Sequence, residues 1–146
     1  MKNLLVVLVS AVLLLGCQTD DRLLSSRAER VVLTEIEAAA IASDMAARFH
    51  ERFKSPDEGR SIRLTIANPV FAAALETALK GLGYEIVAGD DTGNDARIVD
   101  LVYALNSFDG KVLVQITAHS LVLSRAYELT SDGARPASPL SIMQKN

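Results

Sequence analysis

Apolar positions change period several times along this chain, and each period predicts a different element. Residues 4–15 form an almost unbroken apolar run, preceded by Lys2 and followed by Gly16-Cys17. Residues 18–30 are polar and charged, with no apolar period. From residue 34 the pattern becomes helical. Ile41, Met45, Phe49 and Phe53 recur every four residues, with Ile36, Ala38 and Ala42 beside them, so one apolar stripe runs along a helix over 34–53. Thr34 and Glu37 have capping-box spacing at its start, and Pro56 and Gly59 break it. Residues 61–66 alternate, with Ile62, Leu64 and Ile66 on one side and Arg63 and Thr65 on the other, as in a half-buried strand. Asn68-Pro69 opens a second helix, with Asn as N-cap and Pro at the first helical position. Phe71, Leu75, Ala78, Leu79 and Leu82 share its face, and Gly81 and Gly83 stop it. Residues 84–88 read as a strand, residues 88–96 as a polar loop.

Three strands follow, over 97–105, 111–118 and 121–129. Phe108-Asp109-Gly110 supplies a hairpin turn between the first two and His119-Ser120 another turn. Strand, helix and strand in under thirty residues make a βαβ-like unit with parallel strands, and the last three strands make an antiparallel meander. The predicted fold is α+β, with two helices packed on one face of a mixed sheet of about five strands. The expected organisation is a cleaved leader over 1–16, a lipid-bearing tether over 17–32, the domain over 33–130 and a C-terminal tail over 131–146.

The leader run is too short to span a hydrocarbon core of ~30 Å as a helix, and its length and flanks are those of a secretory signal. Leu14-Leu15-Gly16-Cys17 resembles the lipobox of bacterial lipoproteins. That resemblance implies cleavage before Cys17, a diacylglycerol on its sulfur, and an acyl chain such as palmitate on the new amine. The chain has one cysteine, and a thiolate is a strong nucleophile toward a lipid donor. An ordinary leader with an incidental thiol is the alternative. One acyl chain holds a membrane only marginally, whereas two or three hold firmly. Gln18, rather than Asp, follows Cys17, which points to the outer membrane, with the domain in the periplasm.

Charge and chemistry narrow the function. The net charge is −3, from 15 basic and 18 acidic residues, with no Trp and no basic run. Phosphate neutralisation needs a basic surface, so direct nucleic-acid binding is not expected. The two histidines, His50 and His119, fall on the first helix and in a turn, short of the three or four ligands a metal needs. No G-x-S-x-G elbow surrounds a serine, Gly81-x-Gly83 lacks the dinucleotide context, and Gly89 to Asp95 lacks EF-hand spacing. No catalytic residue, metal or cofactor is expected beyond the covalent lipid on Cys17. In the tail, Pro136 and Pro139 favour an extended backbone, and Leu140, Ile142 and Met143 are apolar anchors, so this segment is the candidate partner-binding surface, with a frayed terminus as the alternative.

With these elements placed, the chain resembles conjugal transfer protein TrbH, the lipoprotein of Trb mating-pair-formation systems. The stretches that carry the likeness are AAAIASDMAARF (38–49), FAAALETALKGLGY (71–84), Asn106-Ser107-Phe108-Asp109-Gly110, Arg125-Ala126-Tyr127 and PASPLSIM (136–143). The resemblance implies a non-enzymatic outer-membrane lipoprotein of a conjugative type IV secretion channel. Its partners would be larger core-complex subunits, arranged in a ring. The rival expectation is a periplasm-facing lipoprotein that binds a small ligand or an envelope glycan. An aromatic content of 5% gives it few sugar-stacking platforms.

Overall fold

The computed structural model describes residues 31–53, 61–87 and 98–145. Cys17, the leader, most of the tether, the helix-breaking segment around Pro56 and the 88–96 loop lie outside the described residues. Two helices, α1 (Glu35–Arg52) and α2 (Pro69–Gly81), cover one face of a seven-stranded mixed sheet. The strands are β1 (Ser61–Leu64), β2 (Glu85–Val87), β3 (Ile98–Phe108), β4 (Lys111–Ala118), β5 (Leu121–Thr130), β6 (Gly133–Pro136) and β7 (Ser141–Gln144). The sheet order is β2-β1-β3-β4-β5-β6, with β7 also paired to β5. The α+β class is as the periodicity predicts, and β6 and β7 take the strand count beyond five.

β1 pairs parallel with β2 on one side and β3 on the other, and β3, β4 and β5 form the antiparallel meander. The helices start where the capping residues say. Thr34 Oγ1 accepts from Glu37 N at 3.3 Å while Glu37 Oε2 accepts from Thr34 N at 2.7 Å, so each satisfies an orphan donor of the other. Asn68 Oδ1 accepts from Phe71 N at 3.1 Å and Pro69 follows it. The Tyr103 hydroxyl accepts from Ala67 N and Asn68 N at 3.1 and 2.9 Å, fixing this turn to β3.

The core lies between the layers. Ile41, Met45, Phe49, Phe71, Leu75 and Leu79 from the helices meet Ile62, Leu101, Ile116, Leu123 and Tyr127 from the sheet, all fully buried. Three apolar residues of the predicted faces fall outside it, one of them Leu82 at the C-cap of α2. Ile36 sits roughly 150° around α1 from the stripe's centre at 100° per residue and is exposed. Ile66 lies beyond β1, where the chain leaves the sheet to reach the α2 cap, and is exposed too.

The two helices run parallel. Asn68 Nδ2 donates to Val31 O at 3.1 Å at one end, and His50 Nδ1 lies 3.1 Å from the Tyr84 hydroxyl at the other. α1 also leans on the β5–β6 turn. Gly133 adopts a φ of +136°, and a Cβ there would stand 3.3 Å from Ala40 Cβ, so glycine permits both the turn and the approach.

Candidate functional site

The sequence expectation ends the domain at Thr130 and leaves 131–146 as a tail. The structure instead lays the tail along the outer edge of β5. β6 pairs with residues 127–130 and β7 with residues 121–124. Periodicity misses these strands because each is only four residues long and two prolines interrupt them, whereas alternation is legible over longer runs. β5 takes three steps from Tyr127 to Ser124 while the strap takes five from Pro136 to Ser141, so two extra residues are looped out.

The loop is held by polar contacts that stand in for the missing ladder. Ala137 N donates to Ala126 O at 2.8 Å, and Ala126 N donates to Ser138 Oγ at 2.9 Å. Arg125 Nε donates to Ser138 O at 3.0 Å, and Arg125 Nη1 reaches Asp44 Oδ2 at 2.9 Å. The same carboxylate oxygen accepts from the Tyr127 hydroxyl at 2.6 Å. One node therefore ties α1, β5 and the looped-out segment. Burial, and then the bond to Asp44, push the Tyr127 phenol well above its ordinary value of 10.0, so it stays a donor. Hydrophobic periodicity assigns no role to Asp44, Arg125 or Ser138. No local spacing links positions eighty residues apart.

The predicted tail residues divide in this arrangement. Leu140 is partly buried against the core, so it anchors the strap to its own domain. Pro136 lies opposite Tyr127, and Pro139 is exposed. Ile142, opposite Leu123, and Met143, opposite Val122, are 42% and 53% exposed.

The backbone decides what the edge can still bind. Ala137 N reaches Ala126 O, and Lys145 N reaches Ser120 O at 2.8 Å. Facing groups alternate in an antiparallel ladder, so Ala134, Pro136, Ile142 and Gln144 turn their backbones outward. Pro136 has no N–H to present, which blunts the β6 edge. β7 keeps both donors and acceptors at Ile142 and Gln144, flanked by two exposed apolar side chains. Such an edge can take an added strand.

A concavity of about 360 Å³ lies between the helices, lined by Glu35, Ala39, Ser43, Val70, Ala73 and Thr77 among others. Its walls are mainly methyl groups, and the Thr77 hydroxyl is spent on Ala73 O at 2.8 Å. Among the described residues no three His, Cys, Asp or Glu side chains converge as a metal site would require. Nor is any described helix long and apolar enough to cross a membrane.

No solved structure matches the chain. A probable conjugal transfer protein TrbH from Sinorhizobium fredii (strain NBRC 101917 / NGR234) is 41% identical to it over 149 residues, covering 100% of both chains. The family model described as conjugal transfer protein TrbH matches residues 19–146, so the match takes in both helices, the whole sheet and the C-terminal strap. On these two findings the chain belongs to the TrbH family of conjugal transfer proteins.

Proposed function

We propose that the protein is a lipid-anchored, non-enzymatic assembly component of a conjugative type IV secretion channel, held at the outer membrane with its domain in the periplasm. Family membership supports the role in conjugal transfer. The lipobox-like Leu14-Leu15-Gly16-Cys17 supports the anchor. The observation that carries the docking role is the open β7 edge, with free backbone groups at Ile142 and Gln144 and exposed Ile142 and Met143 side chains. A larger channel subunit adds an extended segment there, and repetition around a ring multiplies a four-residue contact by avidity.

Site-specific photo-crosslinking tests this in cells that make the transfer apparatus. A crosslinking amino acid in place of Ile142 yields an adduct containing a channel subunit encoded with the protein. The same group in place of Leu82, at the far end of α2, yields none. Equal adducts from both positions, or none from Ile142, would overturn the edge as the docking site.

For ligand binding, the described residues offer the groove between α1 and α2. Its methyl-rich lining suits an apolar side chain better than a sugar, which needs convergent polar groups and aromatic faces. The assembly reading therefore stands first.

A further inference from the structure

Five of the ten exposed large apolar side chains among the described residues, including Val32 and the three most exposed after it, gather at one end of the domain. Val32 is 82% exposed, Ile36 61%, Ile66 73%, Val70 39% and Phe108 74%. They come from five separate places: the segment before α1, the first turns of α1 and α2, the β1–α2 connection and the end of β3.

Several contacts bring these places to a common end. Asn68 of the α2 cap bonds Val31, and Glu35 and Val70 line one groove. A Cβ on Gly133 would meet Ile36 at 3.6 Å, which puts the β5–β6 turn beside the start of α1. Phe108 pairs with Lys111, Lys111 with Glu128 and Glu128 with Arg135, so the β3–β4 hairpin stands next to that turn. Leu82 lies at the opposite end, 36% exposed beside half-buried Phe53 and Tyr84, and the exposed Ile142 and Met143 stand toward that end on β7, whose Lys145 bonds Ser120.

The apolar end is also where the chain arrives at Val31 from residues 18–30 and Cys17. We infer that this end seats on the lipid surface, with Val32, Ile36, Ile66, Val70 and Phe108 entering the headgroup layer. The inference rests on the lipid anchor at Cys17. Even fully extended, the fourteen steps of chain from Cys17 to Val31 reach no more than about 50 Å. The anchor therefore holds the domain near the bilayer at an effective concentration in the millimolar range. Insertion too weak to capture a free domain is well populated under those conditions.

Five prongs on separate segments suit a fluid surface, which adapts to each, better than a protein partner, which must match their shape. Glu35, Glu37, Asp109, Glu128 and Asp132 stand at this end against Lys111 and Arg135, which pair with Asp109 and Glu128, so net-neutral headgroups fit better than anionic ones. Seated this way, the α1–α2 groove and the β7 strand stand up from the bilayer, and the end bearing Leu82 points into the periplasm.

The chain has no tryptophan, so single-tryptophan variants report depth directly. Phe108→Trp, Ile66→Trp and Leu82→Trp are made in the full-length, lipid-modified protein. Each is reconstituted into phosphatidylcholine vesicles with ordinary or brominated acyl chains. All three positions are exposed, so the substitutions leave the core untouched.

The emission of Phe108→Trp and Ile66→Trp shifts to the blue and falls at least twofold with brominated lipid, while that of Leu82→Trp does neither. Vesicle flotation is measured first. Flotation without quenching at 66 and 108 overturns the seating and leaves the anchor standing. Quenching at 82 equal to that at 108 also overturns it. Failure to float overturns the anchor and the seating with it. Unquenched protein that crosslinks through position 108 to a channel subunit would make this end a protein interface instead.

Discussion

Asp44 shows how one largely buried carboxylate can organise a domain. It accepts from Tyr127 and Arg125 through the same oxygen and lies 3.5 Å from Arg48 Nε through the other. The Asp44 and Arg125 side chains remain 22% and 18% exposed, so solvent screens their attraction and the hydrogen-bond geometry matters more than the charge. Tyr127 is the sharper probe. Its raised phenol is neutral in the fold, whereas in the unfolded chain it ionises near the ordinary 10.0. A group raised on folding adds stability in full below its unfolded value and loses it as pH climbs past that value. Stability should therefore fall above about pH 10. In Tyr127→Phe the domain should be about 1.5–3 kcal/mol less stable at neutral pH, the net worth of a hydrogen bond to a charged group. The alkaline decline should also be shallower. Urea titrations at pH 7, 9 and 11 measure both. A variant with the wild-type alkaline slope would show that the Tyr127 phenol is not the group responsible. Some slope persists in the variant, because burial raises Tyr84 as well.

At the scale of elements, the strap solves a problem that β5 creates. Leu121, Val122 and Leu123 are all buried, so the strand runs apolar on both faces at its start. An open edge of that composition invites pairing with other chains. β7 covers it from Leu121 to Ser124, and β6 covers the rest after the looped-out segment. Truncation before Ser141 should cost on the order of 1 kcal/mol, since each ladder bond nets ~0.5–1.5 kcal/mol and ordering entropy offsets part of it. The larger effect should be self-association, seen as a rise in light-scattering mass at micromolar protein. A truncated chain that stays monomeric would mean that the β5 edge needs no cover.

For the molecule as a whole, attachment and folding are separable. The described domain has its own continuous core, built from both helices and β1, β3, β4 and β5. Cys17 lies outside it in sequence. Cys17→Ser should therefore leave the thermal midpoint of the domain unchanged while moving the protein from the membrane fraction to the soluble fraction. Fractionation by ultracentrifugation, with melting followed by circular dichroism, separates the two effects. Retention of the variant at the membrane at wild-type levels would remove the anchor from the proposal. The parallel arrangement of α1 and α2 matters here too, because it puts both helix starts and the arriving chain at one end.

Features that depend on near neighbours along the chain could be read without the fold. The period of four from Ile41 to Phe53 dictated α1, and Thr34 with Glu37 and Asn68 with Pro69 marked where both helices begin. Asp109 and Gly110, both at positive φ, set the β3–β4 turn. From these, a two-layer α+β domain was legible. The order of the strands, the number beyond five and the outward or inward sense of each tail residue were not. Those depend on pairings between positions far apart, which no window of sequence contains. Leu140 turns inward and Ile142 stays half out because Leu140 falls in the connection looped out between β6 and β7, whereas Ile142 lies in β7 opposite Leu123. Asp44, Arg125 and Ser138 acquire a common purpose only when β5 lies beneath α1, a placement set by burial of the shared apolar face rather than by any motif.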